Sequence, residues 1–111
     1  MTSLRKEEAY LYLKNFNLYK LQLEKLKISL YKESSKEKLQ EMKNIIKSTK
    51  LRIDIVEDAY NDLTKVEQKM FRYLYIYEYP IKKIAKKFKI SINTVYIKQL
   101  KIIKVVANKL D

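Results

Sequence analysis

A chain of 111 residues with no glycine and a single proline has few architectures open to it. Glycine is the residue that turns the backbone through positive φ without steric cost, so two-residue β-hairpins and glycine-rich phosphate loops have almost nothing to build on. Leu, Lys, Ile, Glu and Tyr dominate, and the fold class this predicts is all-α. A hydrophobic content of 47% is enough for a core. A domain this small buries only a modest share of its surface and often gains from a partner. The length suits one compact unit or a small domain with a helical extension.

The same inventory excludes whole classes of chemistry. The chain has no cysteine and no histidine, so disulfides, thiolate chemistry, the commonest metal ligand and the usual general base are all missing. Catalysis would need convergent carboxylates or lysines, and no such pair stands out. The reading is therefore not an enzyme, with no metal and no cofactor. No stretch of 18 apolar residues occurs, so no membrane span is expected. The opening MTSLRKEEAY carries two glutamates and lacks the apolar run of a signal peptide. A cytoplasmic protein follows as the expectation.

The formal charge of +12 is unevenly spread. Residues 1–63 hold 13 basic and 10 acidic side chains, a net of +3, whereas residues 64–111 hold 12 and 3, a net of +9. Between Glu78 and Asp111 there are nine lysines and no acid. A field of one sign suggests a polyanionic partner. The plainer alternative is a solvated lysine-rich face.

In the first half, Ala9, Tyr12, Phe16, Tyr19, Leu23, Leu26 and Leu30 recur in steps of three and four. The rhythm resumes at Leu39, Met42, Ile46, Thr49, Ile53, Val56, Tyr60 and Leu63. Two such seams predict helices packed lengthwise. YKESSKEK lies between them, with Ser34 and Ser35 as candidate N-caps and Glu37 in the following first turn. Residues 1–62 are thus expected to form an antiparallel helical hairpin, although one continuous helix through the serines stays open. Tyr10, Leu11, Leu13, Leu18 and Leu21 add apolar surface off the first seam. That surplus fits a homodimer or docking on a partner as well as it fits internal packing.

The decisive stretch is PIKKIAKKFKISINTV, residues 80–95. On one continuous helix Ile81, Ile84, Ala85, Phe88, Ile92 and Val95 would share a face, which is the pattern of a membrane-surface helix. Ile90 would then stand among the lysines on the opposite side. A break at Lys89-Ile90-Ser91 turns Ile90 inward and lets Ser91 cap a second helix. With that break the spacing resembles a helix-turn-helix, and Pro80 suits the start of its first helix. Upstream, Thr64 and Glu67 predict a capping box for a preceding helix with Val66, Met70, Leu74 and Tyr77 inward. The alternating tyrosines of RYLYIYEY could by themselves be read as a strand, but the capping box favours a helix.

LT-x-x-E, FRYLY, PIKKIAKKFKIS, INTV and the apolar tail make residues 63–111 resemble the region-four domain of bacterial sigma factors. With a short helical part ahead of it, the chain is most similar to small phage late-gene transcription regulators of the ArpU/RinA type. LuxR-type response domains share much of the pattern. The resemblance implies a DNA-binding regulator of phage or mobile-element origin, with double-stranded DNA and RNA polymerase as partners. It makes the helix from Ser91 the recognition helix, with Ser91, Asn93, Thr94, Tyr96, Ile97, Lys98 and Lys101 toward the bases. Lys82, Lys83, Lys86, Lys87 and Lys89 would lie along the phosphates. Two departures stand out. Lys89 occupies a turn position that is often glycine, and Tyr96, Ile97 and Leu100 are apolar where relatives often carry polar readers. The second leaves an alternative in which this domain grips RNA polymerase or another regulator.

Overall fold

The computed structural model describes residues 3–110, so both outer ends of the two expected segments lie outside the described residues. Six α-helices run in order: α1 (Ser3–Lys14), α2 (Phe16–Lys32), α3 (Lys36–Asn61), α4 (Lys65–Phe71), α5 (Ile81–Phe88) and α6 (Ile92–Lys109). A π-helical turn, Arg72–Ile76, continues α4. No strand occurs among the described residues, as the glycine-free composition predicts. No helix among them is long and apolar enough to cross a membrane.

Helices α2 and α3 pack along each other across a three-residue connection. Glu33 is extended there and accepts the N–H groups of Ser34 and Ser35. Ser35, rather than Ser34, caps α3 by accepting the Lys38 N–H at 3.5 Å. The continuous-helix alternative is thereby excluded. Every residue of the two seams is buried or half-buried. None is fully buried between Leu23 and Thr49, however, so the far half of this pair projects as a thinly packed arm. The molecule accordingly measures 54 × 29 × 21 Å.

The near half does not stand apart from the rest. A local break at Asn15 separates α1 from α2, and α1 lies against α6. Leu13, counted in the sequence as surplus surface, is completely buried. It shares one apolar core with Val56, Met70, Ile84, Val95, Ile102 and Val106. Phe71 is the aromatic hub, with edge contacts to Phe16 (5.9 Å), Tyr60 (5.0 Å) and Tyr75 (5.4 Å). Three polar links bind the same region. Arg72 Nη1 donates to the Tyr60 hydroxyl, Gln68 Nε2 to the Tyr60 carbonyl, and Asn17 Nδ2 to the Ile76 carbonyl.

The π turn corrects the expected inner face of α4. The capping box is present, with Thr64 Oγ1 accepting the Glu67 N–H and Glu67 accepting the Thr64 N–H. Met70 is buried, but Val66 and Tyr77 are exposed and Leu74 is only half-buried. A π turn takes one more residue per hydrogen-bonded loop than an α-turn, here the Tyr77 N–H to the Arg72 carbonyl at 2.8 Å. The buried positions are Met70, Phe71 and Tyr75, with Tyr77 turned outward beyond the π turn. Burial pushes the Tyr75 phenol up to about 12, partly offset by the Gln99 side chain nearby. Its hydroxyl has no hydrogen-bond partner in the protein.

The break between α5 and α6 falls where Ile90 required it. Lys89 is left-handed, with φ 56° and ψ 46°. The Ile90 N–H reaches back to the Ala85 carbonyl at 3.0 Å and the Lys89 N–H to the Lys86 carbonyl at 3.3 Å. These are the paired bonds of a Schellman ending, which satisfy carbonyls that a helix terminus otherwise strands. Ile90 packs on the core, and Ser91 Oγ caps α6 by accepting the Thr94 N–H at 3.1 Å. A lysine in this conformation carries a steric cost of about 1 kcal/mol that glycine avoids. Lys89→Gly is therefore expected to raise stability by about 0.5–1 kcal/mol in urea titration. A loss instead would mean that the Lys89 side chain makes a stabilising contact.

Candidate nucleic-acid interface

The two helices flanking the turn carry the lysines in an ordered way. On α5 the core takes Ile84 and Ala85, flanked by Ile81 and Phe88, so Lys82, Lys83, Lys86 and Lys87 are all driven to solvent. At 3.6 residues per turn they fall into two pairs four residues apart. Lys83 and Lys87 lie over aromatic rings, with Nζ 4.4 Å from the Tyr79 centroid and 5.6 Å from that of Tyr73. Lys82 and Lys86 form the neighbouring row, about 100° round the helix. Lys89, at the turn, is exposed as well.

On α6 the core takes Val95, Ile102, Ile103, Val106 and Ala107. The opposite ridge is Asn93, Ile97, Lys101 and Lys104, all exposed. Tyr96 and Leu100 flank this ridge on one side and are about half exposed, while Thr94 and Lys98 flank it on the other and are half-buried. The candidate base readers thus do not share one condition. Ser91 is spent as the cap, and its Oγ lies 2.8 Å from Thr94 Oγ1, so both hydroxyls serve the helix start. Lys101 Nζ is 3.4 Å from Glu67, which draws it toward the start of α4. The Thr64 N–H, the Thr64 hydroxyl and Lys101 together hold the Glu67 carboxyl below the usual range. Asn93, Tyr96 and Ile97 are the three readers left outward with no side-chain hydrogen bond or ion pair among the described residues.

One lysine of the acid-free segment is directed elsewhere. Lys109 Nζ lies 2.6 Å from Asp62 and 3.9 Å from Asp58, tying the end of α6 to the end of α3. The Asp62 hydrogen bond raises the Lys109 pKa. Among the described residues no group of three or more Asp, Glu, His or Cys side chains gathers as a metal site would.

No protein-family model, no curated protein and no solved structure matches the chain. The functional reading therefore rests on geometry and charge.

What sequence reasoning missed is a cluster of rings beside α5. Tyr73 lies 5.4 Å from Tyr77, 5.2 Å from Tyr79 and 5.4 Å from Phe88. Alternating tyrosines were the visible signal, but on the regular helix expected there they would not converge. The turn that gathers them depends on Glu78, a second left-handed residue at φ 53°. Nothing in its side chain announces that conformation.

Proposed function

We propose that the chain is a sequence-specific DNA-binding transcription regulator, in which α5 and α6 act as a helix-turn-helix of the sigma region-four kind. The observation that carries this reading is the left-handed turn at Lys89 followed by the Ser91 cap, which joins a four-lysine helix to a second helix with an outward Asn93. In that role Asn93 pairs with adenine and Ile97 packs on a thymine methyl in the major groove. Lys82, Lys83, Lys86, Lys87 and Lys89 neutralise phosphates and set register without reading sequence. The surrounding segment, acid-free from Tyr79 to Leu110, offers no repulsion to a polyanion. The projecting α2–α3 arm, with Ile28, Tyr31 and Ile45 exposed, is available to RNA polymerase or a second copy. Such a factor, encoded by a phage or mobile element, works from the cytoplasm at a promoter.

A second reading has its own support. Tyr96, Ile97 and Leu100 expose apolar surface along α6, and Leu100 meets Leu11, Tyr10 and Ile103 in an open groove between α6 and α1. In this reading α6 grips a protein and DNA contact is incidental.

Footprinting on the DNA around the chain's own gene, with and without RNA polymerase, supplies the duplex for the deciding measurement. Asn93→Ala is expected to weaken binding to that protected duplex by about 1–3 kcal/mol, or roughly 5- to 150-fold, and to leave binding to scrambled duplex unchanged. Equal affinities of wild type and variant for the protected duplex would favour the protein-gripping reading.

A further inference from the structure

We propose that the tyrosine cluster beside α5 is a second nucleic-acid site, one that takes the unpaired bases of a single strand. It goes beyond the duplex reading and rests on aromatic rings that the recognition helix does not supply.

The cluster is built rather than incidental. Within a helix, residues two apart point to nearly opposite sides, so Tyr77 and Tyr79 would diverge. The left-handed Glu78 between them folds the chain back and brings their centroids to 5.9 Å. The Tyr79 N–H bonds to the Tyr73 carbonyl at 2.9 Å and clamps that bend. A non-glycine residue in this conformation is strained, and such strain persists where the surroundings enforce it, often at functional sites. Packing alone accounts for Tyr73, Tyr79 and Phe88, which rest against the core. It does not account for Tyr77, which is 51% exposed and lies outside that core.

Charge converges on the same rings from two helices. Lys83 and Lys87 of α5 sit over Tyr79 and Tyr73, and Lys69 of α4 sits 5.6 Å from the Phe88 centroid. Exposed cation–π contacts are weak, so the ammonium groups are held loosely. A base sliding onto a tyrosine face displaces an ammonium toward the phosphate of the same nucleotide, and stacking and ion pairing arise together. Glu78 is the acidic side chain within the segment, and it is exposed at the bend. Rings flanked by lysines are the common apparatus of single-strand binding, where stacking accepts any base. A duplex cannot use them, because its base faces are already stacked.

Fluorescence anisotropy with a labelled thymidine oligonucleotide, its uridine counterpart and a mixed-sequence duplex tests the site. The double substitution Tyr77→Ala, Tyr79→Ala is expected to weaken single-strand binding by about 10-fold or more, from roughly 1–3 kcal/mol per stacked base. Duplex binding should be unchanged. Tyr77→Phe, Tyr79→Phe keeps both rings and should keep the affinity. Because Tyr79 is half-buried, the exposed Tyr77→Ala alone serves if the double variant loses its helical circular dichroism, and it should still weaken the single strand by several-fold. Binding to either oligonucleotide supports the site, and preference between them identifies DNA or RNA as its source. Wild-type protein that ignores both single strands, or alanine variants that weaken duplex and single strand alike, would overturn the proposal. Weaker binding of Asn93→Ala to the footprinted duplex, with single-strand binding intact, separates this site from the recognition helix.

Discussion

Leu13→Ala is expected to destabilise the protein by about 2–5 kcal/mol, the range for removing a buried leucine and leaving a partly collapsed cavity. Leu13 is completely buried although it sits in a helix of 12 residues near the start of the chain. It belongs to the core that also holds Ile102, Ile103 and Val106 of α6, and α1 lies against α6. Backbone bonds from the Asn15 N–H to the Leu11 carbonyl and from the Tyr19 N–H to the Asn15 carbonyl carry the chain from α1 into α2, and the buried Ala9 and Leu13 hold α1 to the core. The matched control is Leu18→Ala, where the side chain is 48% exposed and the expected change is within about 0.5 kcal/mol. Urea titration of the two variants checks the pair. Near-equal stabilities would mean that α1 is not docked on the rest of the chain.

That contrast marks where the fold was legible in the sequence. Both leucines lie off the first heptad seam, and their spacing gave no reason to separate them. The seams were legible over α2 and α3, because those two helices are neighbours in sequence and pack on each other. Leu13 is buried by α6, some ninety residues away, and no local pattern encodes that meeting. Ile90 was legible for the opposite reason. One apolar residue on the wrong side of a basic helix is a local contradiction, and the left-handed Lys89 resolves it locally.

The π turn accounts for part of the other misreading, the outward Tyr77, but not for Val66, which lies ahead of it. Sequence periodicity assumes one helical pitch throughout, so Val66, Met70, Leu74 and Tyr77 formed a consistent stripe. A single wider turn at Arg72–Ile76 shifts the register and buries Tyr75 at the cost of an unpaired hydroxyl. The same local change ends at Glu78 and assembles the ring cluster. At the candidate interface, residue type indicated which lysines would be exposed, since the apolar positions of α5 leave them no other side. It could not indicate that Lys83 and Lys87 would sit on tyrosines, or that Ser91 and Thr94 would bond each other.

Replacing Lys82, Lys83, Lys86 and Lys87 together by glutamine is expected to abolish most duplex affinity while leaving the fold intact. All four side chains are exposed, and none forms an ion pair with the protein, so their removal opens no cavity and strands no charge. If each neutralises one phosphate, the slope of log affinity against log salt flattens by about 3–4, from roughly 0.9 per contact. Over the decade between 1 M and 0.1 M salt that amounts to about three to four orders of magnitude lost at the lower concentration. The ring contacts of Lys83 and Lys87 offset little of this, because exposed cation–π pairs are weak. Thermal stability should hold or rise slightly, since four like charges on one short helix repel one another. Splitting the set sharpens the result. Lys82→Gln, Lys86→Gln should take its share of the salt slope from duplex alone, whereas Lys83→Gln, Lys87→Gln should weaken duplex and single strand together. An unchanged salt slope in the fourfold variant would remove α5 from the interface and leave its lysines as a solvated face.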